Sequence, residues 1–406
     1  MNILFATIAW PENGERNIYT DLMDEFAAAK HHVFILGVRE RRCGKPTECL
    51  QENGLQVLRV RCGNLQKTSI LEKGASLLRL NTQLRMALAQ YFTAIRFDLI
   101  IYSTPPVTLS PLMKKLKTRH QAKIYLLLKD LWPQGPVDLG ALRKGGLVWR
   151  YFRRQEKIMF QDADFIGCMS PAGVRYVLAH NPGLDAAKVE VCPNAIRPSV
   201  LQPSGRNRIR EKYGIPLDAV VFLFGGNLGK PQGLSFLIGA IEALGQHPGV
   251  YFLIIGAGTH FPLLQDAFER LKPANAALYS RLPKQDYDLL AGACDVGLIL
   301  LDKRYTIPHF PSRLLSYLDV GIPVLLAVNR ATDIGDVVER AGCGCVVEHG
   351  DLQGFVSAVR YLAENTGQRQ EMGWAARKLL EDQYTARLAY DTINRRVAPP
   401  GSHDSN

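Results

Sequence analysis

No stretch of about 18 uncharged apolar residues occurs in the 406-residue chain, so no membrane-spanning helix is expected. None of its eight cysteines stands in a C-x-x-C pair, which argues against a zinc ribbon or a thioredoxin-like redox site. Scattered thiols of this kind fit a reducing cytoplasm. There is no G-x-x-x-x-G-K-[ST], no H-E-x-x-H and no G-x-S-x-G, which removes the P-loop, the zincin and the hydrolase elbow. Gly256-Ala257-Gly258 could open a dinucleotide fingerprint, but its third glycine would fall at Phe261. Repeats and low-complexity segments are missing as well. The opening MNILFATIAW has no basic flank and reads as a first strand rather than a signal peptide.

What is present is ordinary globular composition, 47% hydrophobic and 21% charged, with the charge unevenly placed. Residues 1–200 hold 28 Lys+Arg against 17 Asp+Glu, whereas residues 201–406 hold 21 of each. Residues 101–161 alone have 12 basic and 3 acidic residues. The net charge of +11 therefore sits in the first half and suggests an anionic partner there. A nucleic acid is not expected, because no recognition motif or aromatic–basic platform accompanies the basic residues.

Short, near-continuous apolar runs punctuate both halves: Ile3–Ala6, His32–Leu36, Leu99–Tyr102 and Ile124–Leu128, then Val220–Phe224, Tyr251–Ile255, Val296–Leu300 and Val324–Val328. Runs of this kind suit strands of a parallel sheet covered on both faces. Ile18, Leu22 and Phe26 recur at helical spacing between the first two. Pro198 through Gly205 is Pro/Ser/Gly-rich and reads as a linker. The expected fold is α/β, two doubly wound parallel-sheet domains over 1–200 and 201–384. Residues 385–406 are expected to form a helix returning to the first domain and a frayed tail, GSHDSN. Ligands bind such sheets at the carboxyl ends of the strands, which points to the cleft between the domains.

Two stretches could hold a phosphate. Gly225-Gly226-Asn227-Leu228-Gly229-Lys230-Pro231-Gln232-Gly233 follows a strand and precedes a helix; its small residues let amides approach an anion, and Lys230 adds charge. An ordinary strand–helix turn would look similar. Further on, Pro311 and Ser312 suit a helix start, with Arg313 and Ser316 three apart on one side and Leu314, Leu315 and Leu318 forming a buried stripe. A helix start with an Arg beside it is an anion site, although a plain amphipathic helix with a surface Arg would also fit.

Taken in order, these stretches resemble the family-4 retaining glycosyltransferases, which have the GT-B fold of two Rossmann-like domains. Glu12-Asn13-Gly14-Glu15 stands where that family has its first glycine loop, and Cys192-Pro193-Asn194-Ala195 resembles the PNG that closes its first domain. Gly226-Asn227-Leu228 through Gln232-Gly233 resembles GNLG-x-x-QG, and Pro311-Ser312-Arg313 through Pro323-Val324 resembles PSK-x-x-EY-x-x-x-G-x-PV. Ala341 through Val347 with Gly350-Asp351 resembles AGCG-x-VV…GD. Lys129-Asp130-Leu131-Trp132-Pro133 resembles the DLWP segment of members that build O-antigen and capsule repeat units.

The resemblance implies transfer of a sugar from a nucleotide-diphosphate donor, UDP-linked, to a glycan acceptor carried on polyprenyl diphosphate, without cofactor or metal. It implies donor contacts from Gly14, Gly226, Asn227, Lys230, Ser312, Arg313 and Ser316, sugar contacts from His309 and Phe310, and catalytic roles for Lys129 and Asp130. The basic first domain then suits an anionic membrane, with the protein peripheral on its cytoplasmic face. Two basic, apolar segments, Leu65 to Leu88 (with Lys67) and Leu147 to Arg154, resemble interfacial helices, although packing on the sheet would explain both. Many members carry two glutamates eight apart; Pro308 and Ser316 occupy those positions here, and Asn227 and Gln232 replace the usual diphosphate-binding Arg and Lys. A non-catalytic sugar-nucleotide-binding protein and a GT-B epimerase are the alternatives.

Overall fold

The computed structural model describes residues 1–8, 10–12, 14–65, 68–200, 205–245 and 247–397. Asn13, Lys67, part of the expected linker and the tail lie outside them. The chain divides into two units. The first takes Met1–Val137, Leu142–Arg197 and the segment from Ala386; the second takes Asp138–Ala141 and Pro198–Thr385.

The first unit's strands are β1 (Asn2–Thr7), β2 (His32–Glu40), β3 (Glu48–Glu52), β4 (Leu55–Cys62), β5 (Leu99–Ser103), β6 (Lys123–Leu128), β7 (Phe165–Cys168) and β8 (Val189–Val191). They form one sheet in the order β3-β4-β2-β1-β5-β6-β7-β8, parallel except for β3 on β4. Its helices are α1 (Ile18–Ala28), α2 (Ile70–Tyr91), α3 (Ser110–His120), α4 (Gln134–Asp138), α5 (Leu147–Asp162) and α6 (Pro171–His180). α1 starts where Asn17 accepts from the amides of Tyr19 and Thr20 while Thr20 Oγ1 accepts from the Asn17 amide, a reciprocal cap.

The central strands bury side chains on both faces, which is why they read as unbroken apolar runs. Ile3, Phe5, Ile35, Ile101 and Leu127 pack with Leu22 and Phe26 of α1. On the other face, Phe34 meets the rings of Phe92 and Phe97 at 5.3 and 5.6 Å. α2 and α5 both pack against α3 or the short turn Val107–Leu109 that precedes it.

The second unit has β9 (Val220–Asn227), β10 (Val250–Ala257), β11 (Ala276–Tyr279), β12 (Val296–Leu300), β13 (Val324–Val328) and β14 (Gly344–Glu348). They form a parallel sheet in the order β11-β10-β9-β12-β13-β14. Its helices are α7 (Arg206–Lys212), α8 (Leu234–Ala243), α9 (Phe261–Leu271), α10 (Lys284–Gly292), α11 (Arg313–Asp319), α12 (Ile334–Ala341), α13 (Leu352–Glu364) and α14 (Thr366–Gln383). α15 (Ala386–Val397) belongs to the first unit, where Tyr390 lies edge-on to Phe26 at 4.8 Å. Strand order reverses between β1 and β5 in one sheet and between β9 and β12 in the other. Loops leaving the carboxyl ends of strands flanking such a reversal diverge and leave a crevice. Gly14 and Thr104 lie on those loops in the first unit, and Gly226–Gly233 and residues 301–312 in the second.

Candidate functional site

In the second unit the centre of interest is Arg313, the first residue of α11. Its guanidinium lies over the Phe224 ring at 4.2 Å, and Nη2 donates to the Asn227 carbonyl at 3.3 Å. Nη1 is buried and finds no partner among the described residues. Among the described residues no carboxylate pairs with Arg313, and burial pulls its pKa below the ordinary value, with Tyr317 and Tyr287 the nearby titratable groups. A buried donor without an acceptor costs about 1–3 kcal/mol, more on a charged group. An anion arriving at this point removes that cost.

Glycines shape the wall around it. Gly226 takes φ +109°, a conformation L side chains rarely adopt. A Cβ on Gly256 would stand 1.9 Å from the Gly226 oxygen, and one on Gly258 would stand 2.3 Å from that of Leu228. The Gly-Ala-Gly that ends β10 is therefore there to seat the end of β9 and its loop, which explains it without a dinucleotide. Gly297 leaves room for the Tyr317 ring, whose hydroxyl accepts from the Gly225 amide at 3.1 Å and donates to the Leu223 carbonyl at 3.0 Å. Gly297→Ala puts a methyl 2.3 Å from that ring. We expect a loss of about 1–3 kcal/mol in urea unfolding, the usual penalty for overpacking.

Lys230 follows in a single 3₁₀ turn, Lys230–Gln232. Its Nζ donates to the Leu139 carbonyl at 2.6 Å, which leaves two of its three protons for another acceptor. Gln232 is 4% exposed, and its Oε1 has no partner among the described residues. The Asn227 side chain is exposed.

The helix start differs from the expectation. α11 has seven residues, and Ser312, exposed and helical in backbone, makes no side-chain cap. Binding of an anion here accordingly depends on the Arg313 side chain and not on a helix terminus. Ser316 is half-buried, and its hydroxyl makes no hydrogen bond among the described residues. Asp319 is occupied elsewhere: its Oδ1 accepts from the Ser199 amide at 2.8 Å and from Arg377 at 3.0 Å. His309 is half-buried; its carbonyl accepts from Thr332 Oγ1 at 2.7 Å, and its ring lies 5.9 Å from that of Tyr305. Phe310 is 5% exposed and stacks on Tyr384, so its ring is occupied by packing.

The first unit contributes a second constellation. Thr104, just past β5, fixes the turn after β6: its Oγ1 accepts from the amides of Lys129 and Asp130 at 3.0 and 3.3 Å. Lys129 is half-buried near Cys168 and Cys192, and burial pushes its ammonium down to about 8. Burial raises both thiols, Cys168 to about 12, so neither offers a counter-charge at neutral pH. The Asp130 side chain is exposed. Gly14 is exposed at φ +72°, on a loop anchored through Glu12 to the buried Arg39 and Arg59. Asp162-Ala163-Asp164 has D-x-D spacing, but each carboxylate is paired with a lysine, Lys114 and Lys117 respectively, both at 2.8 Å.

Phe224, Tyr287 and Thr104 were not legible as site residues. Gly225 was the available signal for Tyr287: a glycine inside a buried strand marks a close approach, and a Cβ there would lie 2.0 Å from the Tyr287 hydroxyl.

Comparison with known proteins bears on the family and the fold. The family described as "Glycosyl transferase 4-like domain" matches residues 13–195, and "Glycosyl transferases group 1" matches residues 205–379. WbjE of Pseudomonas aeruginosa, named as a glycosyltransferase, is 23% identical over 333 residues, 79% of this chain and 82% of its own. WcaI of Escherichia coli K12, named as a colanic acid biosynthesis glycosyl transferase, is 24% identical over 272 residues, 65% of each chain. Among solved structures, sucrose-phosphate synthase from Thermosynechococcus elongatus superimposes with TM-score 0.75 at 15% identity, covering 97% of both chains. Anabaena HepE in complex with UDP-glucose gives TM-score 0.71 at 17% identity, covering 98% of this chain and 99% of its own. Two parallel-sheet units, and family matches that together run from residue 13 to residue 379, make this chain an enzyme of the GT-B fold, a member of the family-4-type glycosyltransferases.

Proposed function

We propose that the enzyme transfers a sugar from a UDP-linked donor to a glycan acceptor carried on polyprenyl diphosphate, with retention at the anomeric carbon, in bacterial cell-surface polysaccharide synthesis. The observation that carries the donor half is the buried, unpartnered Nη1 of Arg313, a cation with no counter-charge at a strand-order reversal. A diphosphate supplies the missing acceptor, and Arg geometry suits phosphate oxygens. The names of WcaI and HepE, one tied to colanic acid and the other to UDP-glucose, support the polysaccharide context and the uridine donor.

In the reaction, the bond between the sugar's C1 and the diphosphate oxygen breaks, the acceptor hydroxyl oxygen bonds to C1 from the same face, and the hydroxyl proton leaves with the departing diphosphate. Charge gathers on the departing diphosphate, and Arg313 and Lys230 are placed to stabilise it electrostatically. Gly14, Gly226, Asn227 and Ser312 line the donor, His309 and the Phe310 backbone serve its sugar, and Lys129 and Asp130 serve the reacting sugar and acceptor. Release of UDP on mixing with a panel of UDP-sugars and a polyprenyl-diphosphate acceptor, with the product's anomeric configuration read by NMR, tests the reading. No turnover with any UDP-sugar, or an inverted product, would count against it.

Ser316 gives a second expectation. A glutamate there would accept ribose hydroxyls as a charged group, whereas serine offers one weaker bond. Asp319 is held by Arg377 and Ser199 and is not available to substitute for it. Ser316→Glu is therefore expected to tighten UDP binding by roughly 1–2 kcal/mol, read by calorimetric titration. Weaker binding with the fold intact would contradict this.

A further inference from the structure

We propose that the layer formed by α2, α3 and α5 is the face by which the first unit lies on an anionic lipid surface. This rests on the reading of the acceptor as lipid-linked, and it assigns that partner a place on the molecule.

The inner face of α2 is complete: Leu80, Leu84, Ala87 and Leu88 are each at most 6% exposed. Its outer face is nevertheless apolar, with Leu71 86%, Leu78 80% and Met86 65% exposed. Leu71 and Leu78 are seven residues apart and so lie in one line along the helix. α5 repeats the pattern, with Leu147 85%, Val148 55% and Tyr151 48% exposed. Leu147 and Tyr151 are four apart, and the exposed Arg150 and Arg154 flank them on the same side. A helix packed on a sheet ordinarily turns its polar side to water. Here both helices have apolar side chains at the centre of the outward side and arginines beside them.

Charge decides the occupant. Arg79 and Arg85 on α2, Lys115 on α3 and Arg150, Arg154 and Lys157 on α5 are all exposed. The acidic groups of the layer are engaged: Glu72 meets Arg41 at 3.2 Å, Glu156 meets Arg153 at 2.6 Å, and Asp162 is paired with Lys114. A second copy of the chain would bring like charges together on this face. Anionic headgroups complement it, and the exposed leucines and tyrosine enter the boundary between headgroup and acyl chain. No helix among the described residues is long and apolar enough to cross a membrane, so attachment at this face is interfacial.

The test is sedimentation of the purified full chain with phosphatidylglycerol-containing vesicles and with pure phosphatidylcholine vesicles, at about 0.1 and 0.5 M salt. Binding is expected to the anionic vesicles and to fall with salt. The double variants Leu71→Asp/Leu78→Asp and Arg150→Gln/Arg154→Gln should each weaken it at least tenfold. Trp374→Asp, at a residue 72% exposed in the second unit, should leave it unchanged. UDP affinity, measured in parallel, should be the same in all four proteins. Equal binding to neutral vesicles, parent-like binding by either double variant, or loss of binding in Trp374→Asp would overturn the assignment. Vesicle binding as expected, with no UDP binding by the parent, would leave this face standing and remove the donor reading.

Discussion

Arg313→Ala is expected to lower kcat/KM for sugar transfer by about a hundredfold to a thousandfold, the range seen when one donor to a developing oxyanion is removed. The fold should be little affected. Truncation forfeits the stacking on Phe224, about 0.5–1 kcal/mol, and one long hydrogen bond to Asn227. It also removes a buried donor that has no acceptor, and that change is favourable. The two effects oppose each other, so thermal unfolding in the absence of ligand should barely move. Arg313→Lys keeps the charge and loses the planar fork, so it should recover only part of the activity. If the alanine variant transfers sugar at the parent's rate, the donor diphosphate is not held here.

Lys129→Met should act in opposite directions on stability and on activity. Burial holds the Lys129 ammonium at about 8 in the folded chain, below its ordinary 10.5. Below pH 8 the folded state must keep a charge that the unfolded state solvates freely, so the penalty is fully present there. It shrinks as pH rises from 8 and vanishes above the unfolded value. At 1.36 kcal/mol per pKa unit, the penalty at neutral pH is at most about 3 kcal/mol, and water reaching the half-buried group lowers it. The methionine variant should therefore be more stable than the parent at pH 7 by about 1–3 kcal/mol, with the difference closing toward pH 10. Its transfer activity should fall sharply. Equal stability at pH 7, or a difference that does not change with pH, would show that the ammonium is not strained by burial.

The two sheets were legible because their strands are buried on both faces: Val296–Leu300 and Val324–Val328 are apolar at every position except Gly297, and the structure begins and ends them at those residues. β3 was not legible. Glu48-Cys49-Leu50-Gln51-Glu52 is an edge strand with polar residues, and its pairing with β4 is antiparallel. Arg313 was legible from its place beside a predicted helix start. The physics that singles it out was not, because Phe224 and Asn227 are 89 and 86 positions away in the chain. Ser312 misled for a local reason: its backbone is already helical, so its hydroxyl has no orphan amide to cap. That Asp319 is not free to reach a ribose was not legible. Arg377 and Ser199, which hold it, come from distant segments.

Calorimetric titration of UDP into the parent and into Arg313→Ala reads whether Arg313 holds the donor diphosphate. The parent is expected to bind UDP saturably at one site, and the variant at least tenfold more weakly with an unchanged unfolding temperature. A parent that binds no nucleoside diphosphate, or a variant that binds it as tightly as the parent, would contradict the assignment of this site.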